Sequence, residues 1–277
     1  GAGARPAARG RRPELRTLLG EARRGELHVM SFDLGLDPEE PDADWCEREP
    51  LVSRLLELEA PTLVGAQGVG FRQLRALEDG LPQRFRMVGT GADGGSAGEH
   101  CPIFYDGQRL RLEAWEQWWH SETPALVGST GWDAEAPRTA VWARFVELAT
   151  GRPLAVVNTR LDPAPAARQR GAELVARRVR RDGLPTLVTG GFGTQVDERC
   201  PLMSQAHLCD TWTSASQRLT PAVGTVHDHA TPVPDGERVD QILASPGVRV
   251  LRSAINTTAL LGRFPSAHTP VQALLRP

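Results

Sequence analysis

Apolar and polar positions along the chain switch between two periods. Leu27–Leu34 (LHVMSFDL) alternates like a strand, with successive side chains on opposite faces. Glu49–Glu59 places Leu51, Leu55, Leu56 and Leu58 at helical spacing, and Pro61 ends that helix. Thr62–Gln67 reads as a short buried strand and Phe71–Gly80 as a second helix. Arg86–Gly89, Cys101–Tyr105 and Arg109–Trp119 read as strands, with the Gly-rich loop Gly89–Gly98 between the first two. The second half repeats this logic: strands Thr139–Leu148 and Pro153–Thr159, helix Ala166–Arg181, buried strand Pro185–Thr189. Asp197–Pro234 is polar and carries little regular signal; Arg238–Ala244, Val248–Ala254 and Pro270–Leu275 close the series as strands. Ahead of it all, Pro13–Arg24 is a helix or a disordered lead-in. Strands, helix, strands in two similar halves predict an α/β (α+β) protein built as a two-layer β-sandwich flanked by helices. Residues 1–26 form the lead-in or N-terminal helix and 27–277 one domain.

Composition narrows the class. The 277 residues are 40% hydrophobic and 24% charged, which suits a folded chain long enough to bury a core without staples. A formal net charge of −2 supplies no basic field, so no nucleic-acid partner is expected. The RRVRR run at Arg177–Arg181 is the polar face of a helix. No apolar stretch approaches the roughly 20 residues of a membrane span, and no apolar segment follows the Arg-rich Gly1–Arg12, so neither a membrane partner nor a secretory signal is expected. Cys46, Cys101, Cys200 and Cys209 form no CxxC pair, which argues against a zinc site. Separate thiols suit a cytoplasmic protein; a Cys200–Cys209 bridge would suit an exported one. The basic residues are all Arg, with no Lys, and Ala, Gly and Pro abound, a pattern of GC-rich bacterial coding. The oligomeric state is left open.

A series of short motifs then carries a specific resemblance. In chain order they are Gly98-Glu99 before Pro102-Ile103-Phe104-Tyr105, Trp119 through Ser121-Glu122-Thr123-Pro124, Gly131-Trp132-Asp133, Pro137-Arg138, Asn158-Thr159 with Leu161-Asp162, Arg238-Val239-Asp240 and Ser266-Ala267-His268-Thr269-Pro270-Val271. From Leu27 onward the chain resembles the endonuclease/exonuclease/phosphatase superfamily. That resemblance implies the DNase I-like fold, four layers in the order αββα.

Members of that superfamily hold a divalent metal, usually Mg²⁺, with carboxylates and amides at strand ends, because a hard cation takes oxygen ligands. This sequence departs at those positions. The strand that usually ends in Gln-Glu ends in Gln67-Gly68, and the usual Asn of the first strand is Asp33. The Gly-Asp-Phe-Asn turn is Gly190-Gly191-Phe192-Gly193, and the terminal Ser-Asp-His is Ser266-Ala267-His268. The His after Asn-Thr is Arg160, and Ala92 stands where an Arg is expected. Gly68, Gly191, Gly193 and Ala267 offer no side-chain ligand, so no metal and no other cofactor is expected.

What the resemblance leaves in place is a His–carboxylate pair, His268 with Asp240. A carboxylate behind an imidazole fixes its tautomer and raises its basicity, as a general base requires. Glu99 matches the carboxylate that pairs with the lost His and is expected to bind Arg160 as a bidentate pair. Asp33 adds a further acid. Tyr105, Trp119, His120, Arg138, Asn158 and Arg160 are expected to line the same cleft and contact a small-molecule substrate. His227-Asp228-His229 has metal-like spacing but reads as a solvated loop, and Gly89–Gly98 lacks the glycine order of a phosphate-binding loop.

Three functions fit these residues. The first is a metal-independent acid–base enzyme on a repurposed phosphodiesterase scaffold, acting on a small organic molecule by cyclisation, elimination or addition, in a setting such as bacterial specialised metabolism. The second is a catalytically silent module that binds a ligand or a protein. The third is a metal-dependent phosphoesterase or nuclease with a site rebuilt from Asp33, Asp162 and Asp240.

Overall fold

The strand Leu27–Asp33 (β1) is buried at every position, as expected of a strand covered on both faces. The helix Trp45–Glu59 (α1) returns the chain to Leu63–Gln67 (β2), which lies parallel to β1 with Asp33 opposite Gln67. The helix begins four residues ahead of its predicted start and tolerates Pro50 near its first turn. Helix Phe71–Gly80 (α2) leads to Phe85–Val88 (β3) and Ile103–Asp106 (β4), and Leu110–Trp119 (β5) and Thr139–Glu147 (β6) follow. The second half repeats the parallel crossover: Arg152–Arg160 (β7), helix Pro165–Asp182 (α3), then Thr186–Gly191 (β8), with Arg160 opposite Gly191. The polar stretch contains only short pieces: Pro201–Ser204 (α4), Cys209–Asp210 (β9), Thr211–Ser214 (α5) and Gln217–Arg218 (β10). Asp240–Ala244 (β11), Arg249–Ile255 (β12) and Val271–Arg276 (β13) complete the chain.

This is a computed structural model, and it describes residues 17–37, 39–40 and 43–277. Of the predicted leading helix, residues 13–16 lie outside the described residues, and 17–24 form turns whose Leu19 packs against Ala254 and Leu274. The four cysteines are separate thiols, so Cys200 and Cys209 are not bridged. Among the described residues no helix is long and apolar enough to cross a membrane.

One sheet has the order β10-β12-β13-β1-β2-β4-β3 and the other β5-β6-β7-β8-β11-β9. Their inner faces meet through Val29, Leu63, Ile103, Val141, Phe145, Val156, Leu187 and Ile242. Outside the first sheet, Val52, Leu55, Leu74 and Leu77 of α1 and α2 pack on Met30, Phe32 and Phe104. Outside the second, Ala172, Val175, Ala176 and Val179 of α3 pack on Trp142, Val157 and Val188. The layers are therefore helix, sheet, sheet, helix, the expected DNase I-like sandwich.

Both parallel pairs end on the same side of the sandwich, and a buried amide ties them together. Asn158 donates to Ala66 O (2.7 Å) and Pro102 O (2.9 Å) of the first sheet's strand ends. Its Oδ1 accepts from Gln67 Nε2 (2.6 Å) and Thr189 Oγ1 (3.0 Å). The sheets approach so closely here that a Cβ on Gly65 would collide with Thr189 Oγ1 and lie 2.8 Å from Asn158 Oδ1. Asn158 was expected to contact substrate; fully buried and with both ends of its amide occupied, it instead sets the spacing of the sheets. Asn158→Ala removes the amide from Ala66 O and Thr189 Oγ1 and weakens the bonding of Pro102 O and Gln67, which keep other partners. It should cost about 2–4 kcal/mol of stability in urea unfolding, with the inter-sheet contact loosened.

Candidate active site

The carboxyl ends of β1 and β2 in one sheet face those of β7 and β8 in the other, with the start of β11 beside them. That convergence gathers Asp33, Gly68, Arg160, Gly191, Asp240 and, from the loop before β13, His268. His268 Nδ1 lies 2.8 Å from Asp240 Oδ2 and 3.9 Å from Asp33 Oδ2. Asp33 Oδ1 accepts the Gly35 N–H at 2.7 Å, and Asp240 N–H is held by Thr225 Oγ1 at 3.0 Å. Both carboxylates are almost fully buried, whereas the His268 side chain is 19% exposed. Among the described residues nothing bonds His268 Nε2, so the ring presents that nitrogen outward and binds carboxylate with the other.

Burial disfavours the charged imidazole, but Asp33 and Asp240 outweigh it and raise the His268 pKa to about 9. Burial also pushes Asp33 upward, and there the opposing charges of His268 and Arg160 win and hold it low. For Asp240 burial prevails and the pKa rises. His268 is therefore an imidazolium at neutral pH. The His–carboxylate pair expected from the sequence is present, and the charged ring carries a proton on Nε2.

A second cluster adjoins the first. Glu99 accepts Arg160 Nη1 on Oε1 and Arg138 Nη1 on Oε2, each at 3.1 Å, and also the Gly68 N–H at 3.1 Å. The expected bidentate Glu99–Arg160 pair is thus a bridge, one oxygen to each arginine. Arg138 Nε continues to Asp162 Oδ2 at 2.9 Å. Asp162 also accepts the N–H groups of Ala164 and Glu135, so it is separated from Asp33 and Asp240 and supplies no third carboxylate to them.

Arg160, Glu99 and Arg138 form the floor of a cleft of about 580 Å³. Leu36, Phe71 and Pro137 are among its walls; of these the sequence singled out only Pro137, within the Pro137-Arg138 motif, and a Phe at a predicted helix start was the only signal for Phe71. The cleft does not reach His268 directly. Gly191, outside the cleft lining, lies between Arg160 and the carboxylates beside His268: a Cβ there would stand 3.5 Å from Asp240 Oδ1, 3.7 Å from Asp33 Oδ2 and 4.0 Å from Arg160 Cγ.

Three other expected lining residues lie elsewhere. Tyr105 is in the inter-sheet core, its ring 4.8 Å from that of Phe145. Trp119 is buried and donates Nε1–H to Ala92 O at 2.8 Å, so it anchors the Gly-rich loop rather than contacting the cleft. His120 lies under α3, its Nε2 2.9 Å from Thr159 Oγ1, and burial lowers its pKa to about 4. All three sit on inward-facing strand positions or strand ends, where packing claims the side chain.

The donor set does not suit the Mg²⁺ ion of the superfamily. Asp33, Asp240 and His268 offer ligand atoms within 4.8 Å of one another. Yet Asp33 Oδ1 and Asp240 Oδ2 are already bonded, and His268 and Arg160 already supply the counter-charge. Restoring a Glu at 68 is blocked as well: Gly68 has φ +60°, and a Cβ there would lie 2.5 Å from Asp33 Oδ1.

Solved structures share this architecture. An endonuclease/exonuclease/phosphatase from Bacteroides vulgatus is 30% identical over 90% of this chain and 98% of its own, with a TM-score of 0.82. The chain belongs to the endonuclease/exonuclease/phosphatase family. A mannosyl-6-phosphatase from Bacteroides thetaiotaomicron is 28% identical over 90% of this chain and 99% of its own, TM-score 0.80. The human Nocturnin catalytic domain, at 14% identity and TM-score 0.68, shares the fold. No protein-family model and no curated protein matches the chain. Family membership fixes a phosphodiesterase and phosphatase scaffold.

Two outcomes follow from the charges. Arg138→Ala leaves Asp162 and half of Glu99 without a cation and should lower stability by about 3–5 kcal/mol, while the exposed Arg177→Ala stays within about 0.5 kcal/mol, both read by chemical denaturation. The His268 ring should titrate by NMR with a midpoint near 9, and Asp240→Asn should move it down. Its pKa is raised on folding, so its contribution to stability is complete below about pH 6.5 and disappears as pH climbs through about 9. A midpoint at or below 6.5 contradicts the carboxylate cradle.

Proposed function

We propose that this chain is a metal-independent acid–base enzyme that acts on a small organic molecule by cyclisation, elimination or addition. The observation that carries this reading is the His268 imidazole, fixed on Nδ1 by Asp240, flanked by Asp33 and free on Nε2. Two buried carboxylates around one partly exposed imidazolium are costly to maintain for packing alone, whereas they keep a proton available at neutral pH. Nε2 gives that proton to a substrate oxygen as the oxygen gains charge, then takes a proton back from the product, so the cycle consumes none. Such transfer typically contributes about 10²–10⁴-fold in rate. Arg160, beside the proton donor and permanently charged, is placed to stabilise a developing oxyanion.

A phosphoester-cleaving reading draws support from the mannosyl-6-phosphatase neighbour, and a silent binding module would retain the same cleft. One set of assays separates them. Wild type and His268→Gln are incubated in EDTA with enolisable ketones and unsaturated acids, following turnover and solvent deuterium incorporation. Wild type should be active without metal, level between pH 6 and 8 and declining as pH passes about 9, where the acid form is lost. His268→Gln should lose about 10²–10⁴-fold and with it that pH limb. Mg²⁺-dependent phosphate release from mannose 6-phosphate, abolished by EDTA, overturns the proposal in favour of a rebuilt metal site. Complete absence of turnover on the panel overturns it in favour of the silent module.

A further inference from the structure

We infer that the cleft over Arg160 takes an apolar, preferably aromatic, molecule carrying a single negative charge, an organic monocarboxylate, bound directly by the guanidinium. This deepens the proposed function by naming its substrate class, and it rests on the metal-independent reading of the same floor.

The first argument is an unspent donor set. A guanidinium has five N–H donors. Arg160 Nη1 is bonded to Glu99, whereas Nε and Nη2 have no hydrogen-bond partner among the described residues. The side chain is 30% exposed, and it lines the cleft. Arg138, by contrast, is used at both ends by Glu99 and Asp162 and is 10% exposed. The cleft therefore has one guanidinium available, and its planar fork matches a carboxylate.

The second argument is the charge count. Asp93, Glu99 and Glu135 border the cleft against Arg138 and Arg160, three carboxylates to two cations. Glu99 is matched by the arginines it bridges, so a dianionic phosphate monoester would have one open guanidinium to balance two charges. A monocarboxylate needs only Arg160, and the exposed Asp93 and Glu135 are screened by solvent. The ligand favoured at Arg160 is thus the weaker anion of the two.

The third argument is the wall. Leu36, Phe71 and Pro137 present apolar surface, and Phe71 is 51% exposed with no packing role to account for it. A volume of about 580 Å³ falls within the usual ~300–1,000 Å³ of small-ligand sites. An aromatic body against Phe71 with its carboxylate toward Arg160 satisfies wall and floor together.

Equilibrium binding in EDTA at pH 7.5 tests this with 2-naphthoate, 2-naphthol and 2-naphthyl phosphate. The carboxylate should bind at least about tenfold more tightly than either the neutral phenol or the phosphate. Arg160→Gln should abolish that preference by weakening 2-naphthoate alone. Phe71→Ala, an exposed change that leaves the fold intact, should weaken 2-naphthoate and 2-naphthol by similar factors. The inference is overturned by failure of 2-naphthoate to bind, by tighter binding of the phosphate, or by affinity that both variants leave unchanged. Because the readout is binding, it fails separately from the catalytic reading. Arg160-dependent binding without turnover keeps this inference and sinks the enzyme; metal-independent, His268-dependent turnover by a protein that does not bind 2-naphthoate does the reverse.

Discussion

The Asn158 amide is the constraint on which the site geometry depends. Buried between two sheets, it bonds strand-end groups of β2 and the segment entering β4 on one side and Thr189 of β8 on the other. Gly65 lets the sheets come that close, since any Cβ there would strike Thr189. A buried amide with unmet hydrogen bonds is expensive, so the sheets have one register in which all of these groups are satisfied. In that register the ends of β1 and β2 meet the ends of β7 and β8. Asp33, Arg160 and Asp240 are neighbours for this reason, although more than 100 residues separate the first from the others in sequence.

Once assembled, the floor is organised by charge balance. Asp33 and Asp240 are buried and would be strongly destabilised as uncompensated anions. In this chain the compensation comes from side chains, the His268 imidazolium and the nearby Arg160. Each substitution in the superfamily's pattern fits the others. Loss of side chains at Gly68 and Gly191 removes ligands, while Asp33 occupies space beside Gly68 and Arg160 adds a fixed cation. Glu99 takes that arginine together with Arg138, which is in turn tied to Asp162. The result is one connected polar network from the Gly-rich loop to the last strand.

The relatives define the limits of what the scaffold says. Identity of 30% over 90% of the chain accompanies a shared architecture. Chemistry is carried by the floor, where a scaffold of one family can host different reactions. Within this floor, a fixed guanidinium offers directional hydrogen bonds, and an imidazolium offers a proton.

The sequence by itself determined the layers and most of the elements, because period-two and period-3.6 patterns report directly which face is buried. It also determined which ligand positions had lost their side chains, and it paired His268 with Asp240 and Glu99 with Arg160 through ordered motifs. Only the tertiary structure decided the rest. Tyr105, Trp119, His120 and Asn158 share motifs with cleft residues, yet strand alternation and sheet spacing turn them into the core or against the loop. Local pattern does not say which of two packed sheets a polar side chain will meet. The motifs set Asp33 near the His268–Asp240 pair, but not how far the two carboxylates together raise the ring's pKa, because a pKa depends on charges brought together by folding. The cleft walls, Leu36, Phe71 and Pro137, come from three separate loops or helix ends, so their meeting place belongs to the fold alone.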